Sequence, residues 1–203
     1  IGHGLAWPLV AAQFVAAALL GTLLLRRQFS LPAPLLPVDL LRIPIFTLSI
    51  GTSICSFSAQ MLAYVSLPFY LHDVLGHTAV ETGLLMAPWP VMVGLTAPLA
   101  GLLADRYPAG LLGGIGMTVF CIGLIALALL PDDPARLDIA WRMAVCGLGF
   151  GLFQSPNNRT IMGSAPRERS GGASGMLGTG RLLGQTTGAA LVALIFGVTT
   201  SGG

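Results

Sequence analysis

The stretch TGLLMAPWPVMVGLTAPLAGLLADRYPAGLLGGIGMTVFCIGLIALALLP, Thr82 to Pro131, decides the fold of this chain. It holds two long apolar runs, Thr82 to Ala104 and Tyr107 to Pro131, and the only charges between them are Asp105 and Arg106. A helix needs about 20 predominantly apolar residues to cross the hydrocarbon core of a bilayer. Each run is long enough, so the stretch predicts two membrane-spanning helices joined by a short charged turn.

The composition of the whole chain agrees with a membrane protein. Of its 203 residues, 54% are hydrophobic and only 9% are charged, and the mean hydropathy is +0.82. Soluble domains have about 25% charged residues, so this chain cannot cover a water-facing surface of ordinary composition. The net charge of +2 is too small for a nucleic-acid-binding patch. We therefore expect the lipid bilayer as a partner and no nucleic acid.

Further apolar runs bring the prediction to about six transmembrane helices in an all-α, polytopic membrane bundle. Strands are a poor alternative, because barrel strands alternate every second residue in segments of about ten. The remaining predicted spans are Leu5–Leu25, Ile43–Leu71, about Ile139–Met162 and about Ala173–Val198. Residues 26–43 contain several prolines, which prevent a continuous helix. They are predicted as a cytoplasmic linker between a first helix, residues 1–25, and a five-helix block, residues 44–203.

The arginines indicate which loops face the cytoplasm. Arg136 and Arg142 are the only arginines near the loops of one side, whereas the loops of the other side hold seven: Arg26, Arg27, Arg42, Arg106, Arg159, Arg167 and Arg169. Arginine concentrates in cytoplasmic loops, so the Asp105–Arg106 turn is predicted inside and both termini outside. No basic region or cleavage site precedes the first span. We expect a fragment of a longer protein rather than a signal peptide.

A polar stripe marks the span Ile43–Leu71. Its members recur in steps of three or four residues, which places them on one helical face: Ser49, Ser53, Ser56, Gln60 and Tyr64. Polar groups facing lipid would lack partners, so the stripe should face other helices or water. Hydrogen bonds between helices, worth about 0.6–2 kcal/mol each, suit the serines. Gln60 and Tyr64 either do the same or line a cavity, to which Phe57 and Met61 would add an adaptable apolar surface.

Two proline-containing stretches supply further candidates for a substrate cavity. Trp89 lies between two prolines in MAPWPVM, either as an interfacial tryptophan or on a kinked helix against substrate. The stretch GLGFGLFQSPNNRTIMG places Gln154 and Asn157 on either side of Pro156. Such amides are costly in lipid unless they line water or protein. One asparagine could instead cap the end of its helix.

Glycines and charges mark contacts between helices. Gly180, Gly184 and Gly188 form two GxxxG steps, which permit close backbone approach along a static seam or a sliding surface. Gly101 and Gly110 flank the charged turn. There Asp105 is placed to meet a helix N-terminus or an arginine, with Arg159 the best candidate. The alternative is a tight turn with a solvated ion pair, worth about 0–1 kcal/mol. Arg181 either snorkels or pairs with an acid or phosphate group.

Intramembrane acids are missing from this sequence. All eight acidic residues lie in loops or at helix ends, and proton coupling needs a titratable group in the interior of the membrane. The three cysteines lie within apolar runs, and His72, Asp73 and His77 read as ordinary surface rather than a metal site. No nucleophile–base pair lies within a span. We expect no enzyme activity, no metal and no cofactor.

Three blocks resemble the major facilitator superfamily, and within it the fourteen-helix drug:proton antiporter family of bacterial multidrug and quaternary-cation exporters. LPFYLHDVLGHTAVETGLLMAPWP is similar to the segment joining the first two helices of the family's C-terminal half, and GLLADRYPAG to the second copy of its cytoplasmic signature loop. GFGLFQSPNNRTIMGSAPRERSGGASGMLGTGRLLGQTTGAAL resembles its tenth-helix, loop and eleventh-helix block. The loop departs from the family pattern after Arg106, where part of the basic cluster is lost.

The resemblance implies a partial major-facilitator fold and a function. Residues 1–25 would be an extra helix between the halves, and 44–203 the first five helices of the C-terminal bundle, whose partner is the missing N-terminal bundle. It implies proton-driven export of small amphipathic or cationic compounds by alternating access across the bacterial inner membrane, with Gly101, Asp105, Arg106, Gly110 and Arg159 as a cytoplasmic gate. The alternatives are an importer or facilitator of a small polar metabolite, and a non-transporting membrane interaction module.

Overall fold

The computed structural model describes residues 38–201 and several isolated helical positions between residues 12 and 23; side chains are described as far as residue 197. The predicted span Leu5–Leu25 and most of the predicted linker 26–43 therefore lie outside the described residues. The end of that linker, Val38–Arg42, is a short 3-10 helix. Its Leu40 is buried.

Five long helical segments follow, one for each predicted span from Ile43 onward. No strand occurs between residues 38 and 201. The helices are α1 (Pro44–Phe69), α2 (Ala79–Met86), α3 (Pro88–Leu103), α4 (Ala109–Ala128), α5 (Arg136–Ser164) and α6 (Ser170–Ser201). Residues Tyr70–Val74 continue α1 as one π-helical turn, and α2 and α3 together form one span.

Local sequence explains where the helices begin and break. Pro44 stands at the start of α1, where its missing N–H costs nothing. Thr78 and Glu81 form a capping box at the start of α2, which satisfies two backbone donors. The break between α2 and α3 falls at Ala87, because Pro88 and Pro90 each lack a backbone hydrogen-bond donor.

Three of the described spans are long and apolar enough to cross a membrane by length and composition alone: Pro44–Val74, Ala79–Leu103 and Ala109–Ala128. The other two, α5 and α6, have 29 and 32 residues and exceed the required length of about 20. Arginines, amides and glycines lower their mean hydropathy. Their positions agree with the predicted spans, and the fold is that of an all-α membrane bundle.

Helix α5 is the centre of the bundle, and glycines let its neighbours approach it. It packs along α3 and α4, while α1 packs along α6 and also contacts α5. A Cβ atom at Gly147 would meet the carbonyl oxygen of Trp89 on α3, and one at Gly149 would meet the backbone of Phe120 on α4. These two glycines therefore seat α5 against two helices at once.

Candidate functional site

The serines of the polar stripe are buried between α1 and α5. Ser49, Ser53 and Ser56 are all below a tenth exposed. Asn157 on α5 donates through Nδ2 to the carbonyl oxygen of Ser49 (3.2 Å) and to Ser53 Oγ (2.7 Å), while Ser56 Oγ donates to the Ser53 carbonyl oxygen (2.9 Å). These contacts agree with the hydrogen-bonding interpretation of the serines, and they fix the height at which α1 crosses α5.

Gln60 and Gln154 are half-buried amides to which no hydrogen bond is assigned within the described part of the chain. Helices α1 and α5 run in opposite directions, since Ser53 meets Asn157 and Phe57 meets Phe150. Gln60 therefore lies between the Phe57–Phe150 contact and the C-terminal end of α1, and Gln154 lies on the opposite side of that contact. The structure does not bring these two amides together.

Trp89 lies inside the core. Its side chain is 0% exposed, and its indole Nε1 has no hydrogen-bond partner among the described residues. Tyr64 packs edge-on against it with ring centroids 4.9 Å apart. In this half of the bundle Trp89 is thus a packed core residue, while Tyr64 and Met61 remain half-buried.

Five aromatic rings form a continuous chain through the bundle, which we name the aromatic chain. Successive centroids lie 4.9–5.7 Å apart in near-perpendicular arrangements, the geometry that ring quadrupoles favour. Its members are, in order, Tyr64, Trp89, Phe120, Phe150 and Phe57. Three of them were predicted to line a cavity. Phe120 and Phe150 were not anticipated, because no pattern in the sequence distinguishes them from other apolar residues of their helices.

Two clefts lie between α1 and α4. One cleft, of about 460 Å³, lies beside the C-terminal half of α1 and is lined by apolar residues that include Leu62, Tyr70 and Leu127. The other, of about 450 Å³, lies beside the N-terminal half of α1 and is lined by Asn157 and Thr160 of α5 and by Gly110 of α4. Asn157 is the only residue predicted to line a substrate cavity that borders either of these clefts.

The charged turn between α3 and α4 carries the predicted ion pair. Arg159 Nη1 bonds Asp105 Oδ1, and both side chains are more than half exposed. A Cβ atom at Gly101 would lie 3.4 Å from Ser155 Oγ, whereas one at Gly110 would meet no described atom within 4 Å. Close approach to α5 therefore occurs at Gly101 and not at Gly110. Arg106 is exposed.

A second ion pair at the same end was not anticipated. Arg169 donates through Nη2 to Asp39 Oδ1 (2.5 Å) and through Nε to Oδ2 (3.2 Å). This hydrogen bonding from Arg169 holds the pKa of the Asp39 carboxyl below its usual value. The pair links the segment before α1 to the loop before α6, residues that are far apart in the sequence.

Arg142 is a further functional group that sequence reasoning treated only as a loop charge. Its guanidinium pairs with Asp138 (3.1 Å) and donates to the carbonyl oxygens of Ala126 and, at 3.0 Å, Leu129. Carbonyls at the end of a helix lack partners within it, so Arg142 caps α4 and ties it to α5. The four-residue spacing from Asp138 was the one available signal.

The GxxxG face of α6 contacts α1, a partner that the sequence analysis did not name. A Cβ atom at Gly184 would lie 2.6 Å from the Ile54 carbonyl oxygen, and Gly188 is as close to the backbone of Ser58. At Gly180 the space is wider, 3.4 Å to Ile50. Ser58 Oγ also reaches the Gly184 carbonyl oxygen at 3.0 Å. The two helices run in the same direction and touch through their backbones.

Comparisons with known proteins agree with this architecture. The family model of the Major Facilitator Superfamily matches residues 2–189. The chain is 64% identical over 193 residues to the uncharacterized transporter YebQ of Escherichia coli (strain K12), covering 95% of this chain and 42% of YebQ. It is 30% identical over 187 residues to the multidrug efflux pump LfrA of Mycolicibacterium smegmatis, covering 92% and 37%.

A third relative is named for a different function. The riboflavin transporter RibZ of Clostridioides difficile is 28% identical over 182 residues, covering 90% of this chain and 40% of RibZ. The chain thus spans about two-fifths of the length of these relatives. With a family match that covers most of its residues and a helical bundle that fits it, this chain belongs to the Major Facilitator Superfamily of membrane transporters.

Proposed function

We propose that the protein is a secondary active transporter that exports amphipathic or cationic compounds by proton antiport through alternating access. Support comes from relatives named as multidrug efflux pumps and multidrug resistance proteins. The proposal needs no enzymatic step and no cofactor, since the proton gradient supplies the energy. It places the protein in the bacterial inner membrane, where the described helices would work together with an N-terminal bundle.

The Asp105–Arg159 ion pair is the observation that carries this proposal. It joins the α3–α4 turn to the cytoplasmic end of α5 while both side chains stay largely exposed. An exposed ion pair contributes only about 0–1 kcal/mol. A contact of that strength can form and break in each cycle, which is what a cytoplasmic latch between two access states requires.

The proposed proton coupling needs a residue that the described helices do not supply. All eight acidic residues of the chain lie at helix ends or in loops, and proton coupling requires a titratable group within the membrane. We therefore assign the coupling carboxylate to the other bundle. The half-buried amides Gln60 and Gln154 and the half-buried Tyr64 are proposed to face the substrate from this side.

A transport assay with charge-swapped variants tests the latch. The full-length transporter is expressed in a bacterial strain without major efflux pumps, and ethidium efflux is followed after energisation. We expect Asp105→Asn and Arg159→Gln each to slow efflux, and the swap Asp105→Arg with Arg159→Asp to restore part of it. Arg167→Gln, an exposed cytoplasmic arginine, is the matched control and should leave the rate unchanged. Equal rates in all variants would refute the latch, and absence of energised efflux in the unmodified protein would refute export.

Import of a small polar metabolite is the second candidate. It is favoured by the two amides without assigned hydrogen bonds and by the relative named as a riboflavin transporter. The direction of movement separates the two. A proton gradient imposed on right-side-out vesicles makes an importer accumulate the transported compound inside the vesicles and makes an exporter deplete it.

A further inference from the structure

Arg181 is the arginine that lies deepest along any helix of the described region. It follows Ser170 by eleven residues, so it lies about 16 Å along α6 at 1.5 Å per residue. Its guanidinium carbon is 5.4 Å from the centre of the Phe57 ring. Phe57 in turn packs on Phe150 at 5.3 Å, and Phe150 is the middle residue of α5. The charge therefore lies near the mid-height of the bundle.

This position differs from that of a snorkelling arginine. A snorkelling side chain directs its charge to the nearer membrane interface, which for Arg181 is the cytoplasmic end of α6. The guanidinium instead lies beside the aromatic chain, and the side chain remains exposed. An intramembrane cation is retained where it meets an anion or a water-filled cavity.

The described acids do not supply that anion. All eight acidic residues of the chain lie between Asp39 and Glu168. The ion pairs they form are with Arg136, Arg142, Arg159, Arg169 and His77. The ring face of Phe57 offers Arg181 a weaker electrostatic partner than a carboxylate would. Among the residues that the structure describes, no hydrogen bond or ion pair is assigned to the Arg181 guanidinium, so its N–H donors can meet a ligand.

We propose that Arg181 and Phe57 form an anion-binding subsite that recognises a carboxylate or comparable oxyanion on the transported compound. A guanidinium presents paired N–H donors that match an oxyanion in two hydrogen bonds, and the adjoining aromatic ring packs against the apolar part of an amphipathic molecule. The inference rests on the proposed export function and adds to its substrates amphipathic compounds, zwitterions included, that carry an anionic group.

The same oxyanion chemistry could come from a carboxylate in another part of the protein. The two sources have different consequences. If the anion belongs to the transported compound, removal of the Arg181 charge weakens the binding only of compounds that carry an anionic group. If it belongs to the protein, the change affects charged and neutral compounds alike.

Binding of a matched pair of probes tests the subsite. The purified full-length transporter is titrated calorimetrically with 1-naphthoate and with 1-naphthamide, which share a ring system and differ in charge. A charge-assisted hydrogen bond corresponds to about a 10- to 100-fold difference in Kd, so we expect the unmodified protein to prefer 1-naphthoate by that factor. Arg181→Gln should abolish the preference and leave the affinity for 1-naphthamide unchanged. Arg181→Lys should retain part of the preference for 1-naphthoate, and Arg167→Gln should retain all of it.

The outcomes separate this inference from the proposed function. Equal affinity of the unmodified protein for both probes, or failure to bind 1-naphthoate, overturns the subsite even if ethidium efflux is observed. If Arg181→Gln loses affinity for both probes equally, the anion belongs to the protein, and the proposed subsite is overturned as well. Should Arg181→Gln not fold, undiminished preference in Arg181→Lys counts against the paired hydrogen bonds. The affinities are measured without energisation, so they stand whether or not export occurs.

Discussion

Replacing Gly184 by alanine tests the close contact between α1 and α6, when it is compared with a glycine-to-alanine change elsewhere on α6. The new Cβ would lie 2.6 Å from the Ile54 carbonyl oxygen and 2.7 Å from Phe57 Cβ, so both backbones must move apart. Overpacking of this kind costs about 1–3 kcal/mol. Alanine returns about 0.5–1 kcal/mol through its better helix propensity, and the net change in the free energy of unfolding is a loss.

Gly178 on the same helix provides the matched control, since a Cβ there would meet no described atom within 4 Å. Gly178→Ala should keep or raise the melting temperature. Each kcal/mol corresponds to about 2–4 °C for a chain of 150–250 residues and to less for a longer chain, so Gly184→Ala should melt at a measurably lower temperature than Gly178→Ala. The assay is thermal unfolding of the purified full-length protein in detergent. Equal melting temperatures for the two variants would refute the backbone contact.

Two further predictions use other polar residues. Asn157→Ala should lower the melting temperature, because it removes two buried hydrogen bonds worth about 0.6–2 kcal/mol each. Gln60→Ala should leave the melting temperature unchanged and alter the spectrum of exported compounds. The reverse pattern would contradict the placement of both amides. Because the pKa of Asp39 is lowered by Arg169, the Asp39–Arg169 pair should stabilise the protein above the ordinary carboxyl pKa and lose up to about 1 kcal/mol as the pH falls through the lowered value. Asp39→Asn should remove that part of the pH dependence of thermal unfolding, and an unaltered profile would exclude the pair as its source.

The sequence was most informative about features that depend on a single helix, namely its position in the chain and its buried face. Apolar length located the helices from Pro44 onward, and a recurrence of three or four residues identified the face of α1 that is buried by α5. The glycine steps of α6 likewise identified its contact face. Spacing along one helix reports which residues share a face, and burial then follows from the cost of exposing polar groups to lipid.

What the sequence could not supply are contacts between residues far apart in the chain. The ion pair of Asp39 with Arg169 and the capping of α4 by Arg142 depend on the relative height and rotation of helices, which local periodicity leaves open. Trp89 illustrates the same limit, since its position between two prolines fits both an interfacial residue and the core residue that the structure shows. The Asp105–Arg159 pair could be predicted because both residues lie at ends of predicted spans that the arginine distribution assigns to the same side of the membrane.

The glycines on two faces of α5 have a consequence for how such a transporter diversifies. Gly147 and Gly149 each leave no room for a methyl group, because α3 and α4 lie against them backbone to backbone. Point mutations at these positions carry a structural penalty before they can alter a binding surface. Half-buried positions such as Gln60 on α1 and Gln154 on α5 do not seat one helix against another, so a side chain there can change size at a lower structural cost.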